Sequence, residues 1–257
     1  MALAVGDVAL RFDPDREERE LREYLGDRFD VQRLWRSEEQ VELEFQRAAD
    51  EDRFYRSSNA YLYNLTAFAI SGTKHPYLRE LVSHVAPPAR VLDYGCGIGS
   101  DGLVLLEAGY RVEFAEFDNP STEYLRWRLA WRGLEAPIHD LDAGVPGGFD
   151  LAFAFDVIEH AADPFAFLRE LERRARLVEV NFLWPGPRDQ LLHHDLPVRA
   201  LLRDVARHRI HSYGILHRRS HLVIYDSAPA PALARLANRR RLLAERLAAR
   251  RTRSGSR

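Results

Sequence analysis

The apolar positions of this chain keep two different periods. From residue 12 to residue 86 they recur at steps of three and four, as one face of a helix does. Val41, Phe45 and Ala48 make one stripe, Tyr61, Leu65 and Phe68 a second, and Leu78, Leu81, Val82 and Val85 a third. Gly72 stops the second stripe and Pro87-Pro88 stops the third. From Arg90 onward, short apolar runs alternate with helical stripes. The runs are Val91–Asp93, Val112–Phe117, Pro137–Asp140, Phe149–Phe155 and Leu177–Leu183, and each is short enough for a buried strand. Helices are predicted from Ser100 to about Gly109, over 120–132, from Asp163-Pro164, and over 197–208. Strand alternating with helix predicts an α/β fold with a largely parallel sheet. The last two runs, 209–215 and 221–225, are joined by a short polar loop. That loop cannot make a parallel crossover, so the last strand is expected to run antiparallel to its neighbour.

The first strand-to-helix junction carries the candidate chemistry. Arg90–Gly102 reads RVLDYGCGIGSDG. Gly95, Gly97 and Gly99 allow a tight turn and a close approach of backbone to ligand. The helix opened by Ser100 offers unpaired N–H groups behind them. Glu116 stands near the end of the second run, 23 positions after Asp93, near the ~20-residue spacing at which such folds set an acid against ribose hydroxyls. A carboxylate suits a vicinal diol because it accepts two hydrogen bonds at once. Asp118 is the fallback; it precedes Asn119-Pro120, a cap and first-turn pair for the next helix. Asp140 and Asp142 follow the third run. A dinucleotide fingerprint, G-x-G-x-x-G, can also be drawn at 97–102, but it would start inside the inferred helix.

Two strings resemble a known family. D-x-G-x-G-x-G at Asp93–Gly99 resembles motif I of the class I S-adenosylmethionine-dependent methyltransferases. FDVIEHAADP at Phe155–Pro164 resembles the segment after strand four in small-molecule methyltransferases, the quinone-pathway O-methyltransferases among them. The resemblance covers about residues 88–226. It implies a Rossmann-like doubly wound seven-stranded sheet with an antiparallel last strand, and S-adenosyl-L-methionine as cofactor. It implies that Asp93, Gly95, Gly97 and Gly99 wrap the methionine part, that Glu116 takes the ribose, and that Asp140, in preference to Asp142, takes the adenine amino group. Asp156 joins this cofactor-binding set through the second string. The acceptor then belongs near the carboxyl ends of strands four and five.

A hydroxyl acceptor needs a base, and histidine titrates near operating pH. His160, His193 and His194 are the candidates, with Glu159 able to orient one of them. His193-His194-Asp195 also has metal-ligand chemistry, but no third ligand accompanies it, and no metal is expected. The expected domains are a helical cap or lid at 1–86, a cofactor domain at 87–227 and a basic tail at 228–257. Tyr55, Tyr61 or Tyr63 of the first is a candidate lining for the acceptor pocket.

Composition narrows the partners. The net charge is −2, so no global field points to nucleic acid or membrane. The single cysteine, Cys96, allows no disulfide within the chain. The N-terminus lacks a basic n-region and no apolar run approaches a membrane span, which fits a cytoplasmic enzyme. Lys74 is the only lysine, a usage that warns against over-reading arginine clusters. The tail nevertheless sets nine arginines against Glu245, so an RNA methyltransferase is one alternative. A nucleotide-dependent dehydrogenase using Gly97–Gly102 is the other. The leading expectation is methyl transfer to a small molecule (a metabolite, sugar or natural product), at a hydroxyl.

Overall fold

The computed structural model describes residues 8–47, 54, 56–184, 195–238 and 242. Its sheet has seven strands in the order β3-β2-β1-β4-β5-β7-β6. The chain divides into two compact units, Met1–Val145 and Pro146–Arg257.

In the first unit, α1 (Pro14–Leu25), α2 (Val31–Trp35), α3 (Ser37–Arg47), α4 (Ala60–Ser71) and α5 (His75–Val82) precede β1 (Arg90–Tyr94). The charged, helical stretch from residue 12 is broken after Leu25. Gly26 takes a φ of 54° and sends its amide back to the Arg22 carbonyl, and Asp30 then caps α2 through the Gln32 amide. After β1 come α6 (Ser100–Glu107), β2 (Arg111–Glu116), α7 (Pro120–Trp131) and β3 (Ile138–Asp140). Asn119 caps α7 in a capping box with Thr122, and Pro120 stands at its first turn. Strands β1, β2 and β3 are parallel. Leu21, Leu34, Leu62 and Tyr63 of the early helices share a buried cluster with Ile98 of the glycine turn and Tyr124 of α7.

The second unit holds β4 (Phe149–Ala154), α8 (Pro164–Arg174), β5 (Ala175–Leu183), α9 (Val198–Val205), β6 (His208–Leu216) and β7 (Ser220–Pro229). Asp163 caps α8 by accepting from the Phe165 and Ala166 amides. β4 and β5 are parallel, and β7 pairs antiparallel with both β5 and β6. The reversed last strand is as the short connection requires. His217 and Arg218, both with positive φ, make the tight reversal between β6 and β7.

Under this sheet, Glu172 of α8 accepts from the Tyr225 hydroxyl at 3.1 Å and pairs with Arg169 at 2.8 Å; His208 lies 3.5 Å away. Burial pushes the Glu172 carboxyl up to about 7, although Arg169 pulls the other way. A carboxyl raised in the folded state contributes stability below its ordinary value of 4.5, and loses that contribution as pH rises through the folded value. His208, held low by burial and then by Arg169, acts oppositely and loses its contribution as pH falls. Glu172→Gln is therefore expected to gain stability relative to wild type between about pH 5 and about pH 8. Thermal midpoints of the two proteins across that range check this; a constant difference would contradict it.

Candidate active site

β1 ends one residue after Asp93, whose Oδ2 accepts the Gly102 N–H at 3.0 Å. This bond ties the strand to the first turn of α6. Burial and then the neighbouring Asp101 push the Asp93 carboxyl well above the usual carboxylate range, while Lys74 opposes them. Between strand and helix, Gly95, Gly97 and Gly99 have φ values of 72°, 53° and 72°, a region that only glycine enters without strain. The Gly95 and Cys96 amides donate to the Ala115 carbonyl at 2.8 and 3.2 Å.

The glycines are also needed for packing. A Cβ at Gly97 would stand 2.6 Å from Leu65 Cδ1, and one at Gly99 would stand 2.5 Å from Leu125 Cδ1. The space that the sequence reads as room for a ligand beside these two residues is taken by leucines of α4 and α7.

Glu116, the last residue of β2, accepts the Gly97 N–H and the Phe117 N–H, both at 2.9 Å. Burial raises its carboxyl above the ordinary value, and those two amides offset part of the rise. The parallel register sets Glu116 opposite Asp140 at the end of β3. Asp140 accepts the Asp142 N–H at 3.0 Å. Asp142 itself forks onto Arg56 at 2.6 and 3.2 Å, and the Arg56 guanidinium stands 4.5 Å from the centre of the Phe117 ring. Asp118 is exposed and pairs with Arg126 at 3.1 Å. Arg56 and Phe117 were not singled out in the sequence. Phe117 follows Glu116 directly, which is the one local signal that could have found it.

In the second unit, Asp156 holds a φ of 55°. Left-handed backbone at a non-glycine residue stores strain and persists only where the surroundings impose it. Here Asn181 imposes it. Its Oδ1 accepts the Asp156 N–H at 2.8 Å, and its Nδ2 donates to Asp156 Oδ1 at 2.7 Å and to Ser220 Oγ at 3.0 Å. Asn181 is fully buried in β5; its only sequence signal is a polar residue within an apolar run. Asn181→Leu is expected to release Asp156 and destabilise the unit by about 1–3 kcal/mol, which chemical denaturation measures; no change would show that the strain is not held there.

His160 closes a single 3-10 turn, Ile158–His160, and is half-buried, while the neighbouring Glu159 is buried. His193 and His194 lie outside the described residues. His221 of β7 was not among the sequence candidates; its Nδ1 is 2.6 Å from the Tyr213 hydroxyl. Of the three candidate tyrosines, Tyr55 lies outside the described residues. Tyr63 is committed to packing: its hydroxyl accepts from the Asp30 N–H at 3.0 Å and donates to the Arg28 carbonyl at 3.2 Å. Tyr61 packs edge-on against Phe54. Among the described residues no three His, Cys, Asp or Glu side chains are placed to hold a metal ion, and no helix is long and apolar enough to cross a membrane.

A glycine turn after β1, acids ending β2 and β3, and a reversed β7 beside β5 define the class I S-adenosylmethionine-dependent methyltransferase fold. The family model described as "Methyltransferase domain" matches residues 71–208, and the chain belongs to that family. It is 35% identical over 101 residues to a cypemycin N-terminal methyltransferase from a Streptomyces species, covering 37% of this chain and 38% of that protein. It is 33% identical over 85 residues to a ubiquinone biosynthesis O-methyltransferase from a Caulobacter species, covering 31% and 34%. The chain thus spans little more than a third of the length of these relatives. The structure of a magnesium protoporphyrin IX methyltransferase from Synechocystis, solved with S-adenosylmethionine bound, shares the fold. Its TM-score is 0.51 at 19% identity, over 86% of this chain and all of that one.

Proposed function

We propose that this protein transfers the methyl group of S-adenosylmethionine to a hydroxyl of a small-molecule acceptor. The observation that carries the reading is the register of β2 on β3. It sets Glu116 opposite Asp140, with Glu116 bonded to the Gly97 amide of the turn. The donor chemistry fits the cofactor. After its two amide bonds, a Glu116 carboxylate retains lone pairs for a ribose diol. Asp140 would offer an acceptor for the adenine amino group, and the turn Gly95–Gly99 would hold the methionine part. Asp156, held in its strained conformation by Asn181, is the further cofactor-binding residue that the resemblance of its segment implies.

The bound cofactor supplies an electrophilic methyl on a sulfonium. The chain's own task is to align the acceptor oxygen, exclude water and remove the hydroxyl proton. His160 is the base in this reading, with His193 and His194 as the other candidates. The Caulobacter relative, named as an O-methyltransferase, supports oxygen as the nucleophile. The Streptomyces relative, named for methylation of an N-terminus, favours a nitrogen acceptor as the second reading.

Labelled S-adenosylmethionine incubated with matched panels of phenols, aliphatic alcohols and amines separates the two. Label transfer to hydroxyls, with His160→Asn slowing it by about 10²–10⁴-fold and leaving S-adenosylhomocysteine affinity unchanged, is the expected result. Transfer only to amines, or full turnover in the His160, His193 and His194 variants tested singly, would overturn the hydroxyl reading.

A further inference from the structure

The paired acids of α1 and two arginines at the end of α7 have no part in the site described so far. Glu17 and Glu20 lie three apart on α1, and Arg132, the residue that ends α7, lies four after Arg128, so each pair faces one way. Arg128 has no exposed surface. Its Nε donates to Glu20 Oε2 at 2.7 Å and its Nη2 to Glu17 Oε1 at 2.5 Å. Its Nη1 reaches the glycine turn and the helix after it: it donates to the Ile98 carbonyl at 2.9 Å and to Oγ of Ser100, the first residue of α6, at 2.8 Å. Ser100 Oγ in turn donates to the second oxygen of Glu17 at 2.8 Å. Arg132 binds the same two acids, at 2.7 and 2.8 Å to Glu20 and 3.2 Å to Glu17, and reaches Glu107 at 3.1 Å.

Apolar side chains of similar volume stabilise a helix contact as well as a buried ion network does, because desolvation cancels much of the Coulombic gain. What an apolar contact cannot do is hold a carbonyl and a hydroxyl. Arg128 does this at the turn. The Gly97 N–H is fixed by Glu116 from β2, and the carbonyl of the next residue, Ile98, is fixed by Arg128 from α7. Consecutive residues of the turn are thus clamped by two charged side chains of opposite sign. Glu17, Ile98, Ser100 and Cys96 then line one cavity beside the turn, with Leu65 and Lys74.

We infer that Arg128, oriented by Glu17 and Glu20, is a positioning residue for the cofactor turn, and that α1 belongs to the binding machinery as its outer brace. This rests on the S-adenosylmethionine reading above. Arg132 provides the internal control, since it shares the carboxylates but makes no bond to the turn among those just given. The experiment measures S-adenosylhomocysteine affinity by calorimetry, well below the melting temperature, together with the melting temperature itself.

Arg128→Lys keeps the charge and loses the fork. It is expected to lower the melting temperature and to weaken binding about tenfold or more. Arg132→Lys is expected to lower the melting temperature and to leave affinity within about twofold of wild type. Should Arg128→Lys fail to fold, Ser100→Ala serves instead, with a small loss of melting temperature and about threefold to tenfold weaker binding expected. Affinity unchanged in Arg128→Lys or in Ser100→Ala, or weakened equally in both arginine variants, would overturn the inference. Wild type that binds no S-adenosylhomocysteine would instead refute the cofactor reading on which it rests.

Discussion

Arg128→Met is expected to destabilise the protein by about 3–5 kcal/mol. The side chain it removes has no exposed surface and makes four hydrogen bonds. Glu20, fully buried, and Glu17, nearly so, would be left with Arg132 as their one charged partner among the contacts given above, Glu17 keeping the Ser100 hydroxyl as well. The cost is that of an uncompensated buried charge rather than of lost packing, because methionine fills most of the volume. The pH dependence identifies the cause. Burial alone would raise the Glu17 carboxyl, but Arg128 and Arg132 outweigh it and hold the group below its ordinary 4.5. A depressed carboxyl contributes stability above its unfolded value and loses it as pH falls through the folded one. The deficit of Arg128→Met should therefore be full at neutral pH and shrink below about pH 4.5. Denaturant titrations at the two pH values measure it. A deficit that does not change with pH would point to packing.

Gly102→Ala should also destabilise, by about 1–3 kcal/mol, against the usual direction for such a change. Within a helix, alanine in place of glycine ordinarily gains about 0.5–1 kcal/mol. Here the added Cβ would stand 2.3 Å from Phe114 Cε1 and 2.7 Å from Asp93 Oδ2. The ring and the carboxylate would both have to move. The Asp93 bond to the Gly102 amide, which joins β1 to α6, would lengthen with them. Thermal and denaturant unfolding decide the sign, and a more stable alanine variant would refute this account of the junction.

Most of the strand frame was legible because it rests on local chemistry. Val91–Asp93, the glycines, Glu116 and the Asn119-Pro120 cap each announce themselves within a few residues. The reversed last strand followed from the length of a single loop. Arg128 was not legible for the opposite reason. It stands on the same face of α7 as Tyr124, Trp127 and Trp131, four positions after the tyrosine, and nothing near it in the sequence shows what would pair a charge there. Its partners are 108 and 111 positions away in the sequence, and pairing over such distances has no period. Glu17 and Glu20 were hidden in the same way, among the charges of a helix that looks exposed. Asn181 was hidden by its surroundings, since one polar residue in a buried strand changes no pattern. The glycines were found for a reason that is only part of the truth. Their sequence signature is that of a ligand-facing turn, yet Leu65, Leu125 and Phe114 occupy the places where the Cβ atoms of Gly97, Gly99 and Gly102 would stand.

The most direct test of the central claim is calorimetric titration of the purified protein with S-adenosylmethionine and S-adenosylhomocysteine, with a nicotinamide dinucleotide as control. The account predicts saturable binding of both sulfur compounds and none of the dinucleotide. It also predicts about 10–100-fold weaker binding in Glu116→Gln, which exchanges a charge-assisted acceptor for a neutral one at the proposed ribose position. Binding of the dinucleotide in preference, or sulfur-compound affinity indifferent to Glu116, would contradict it.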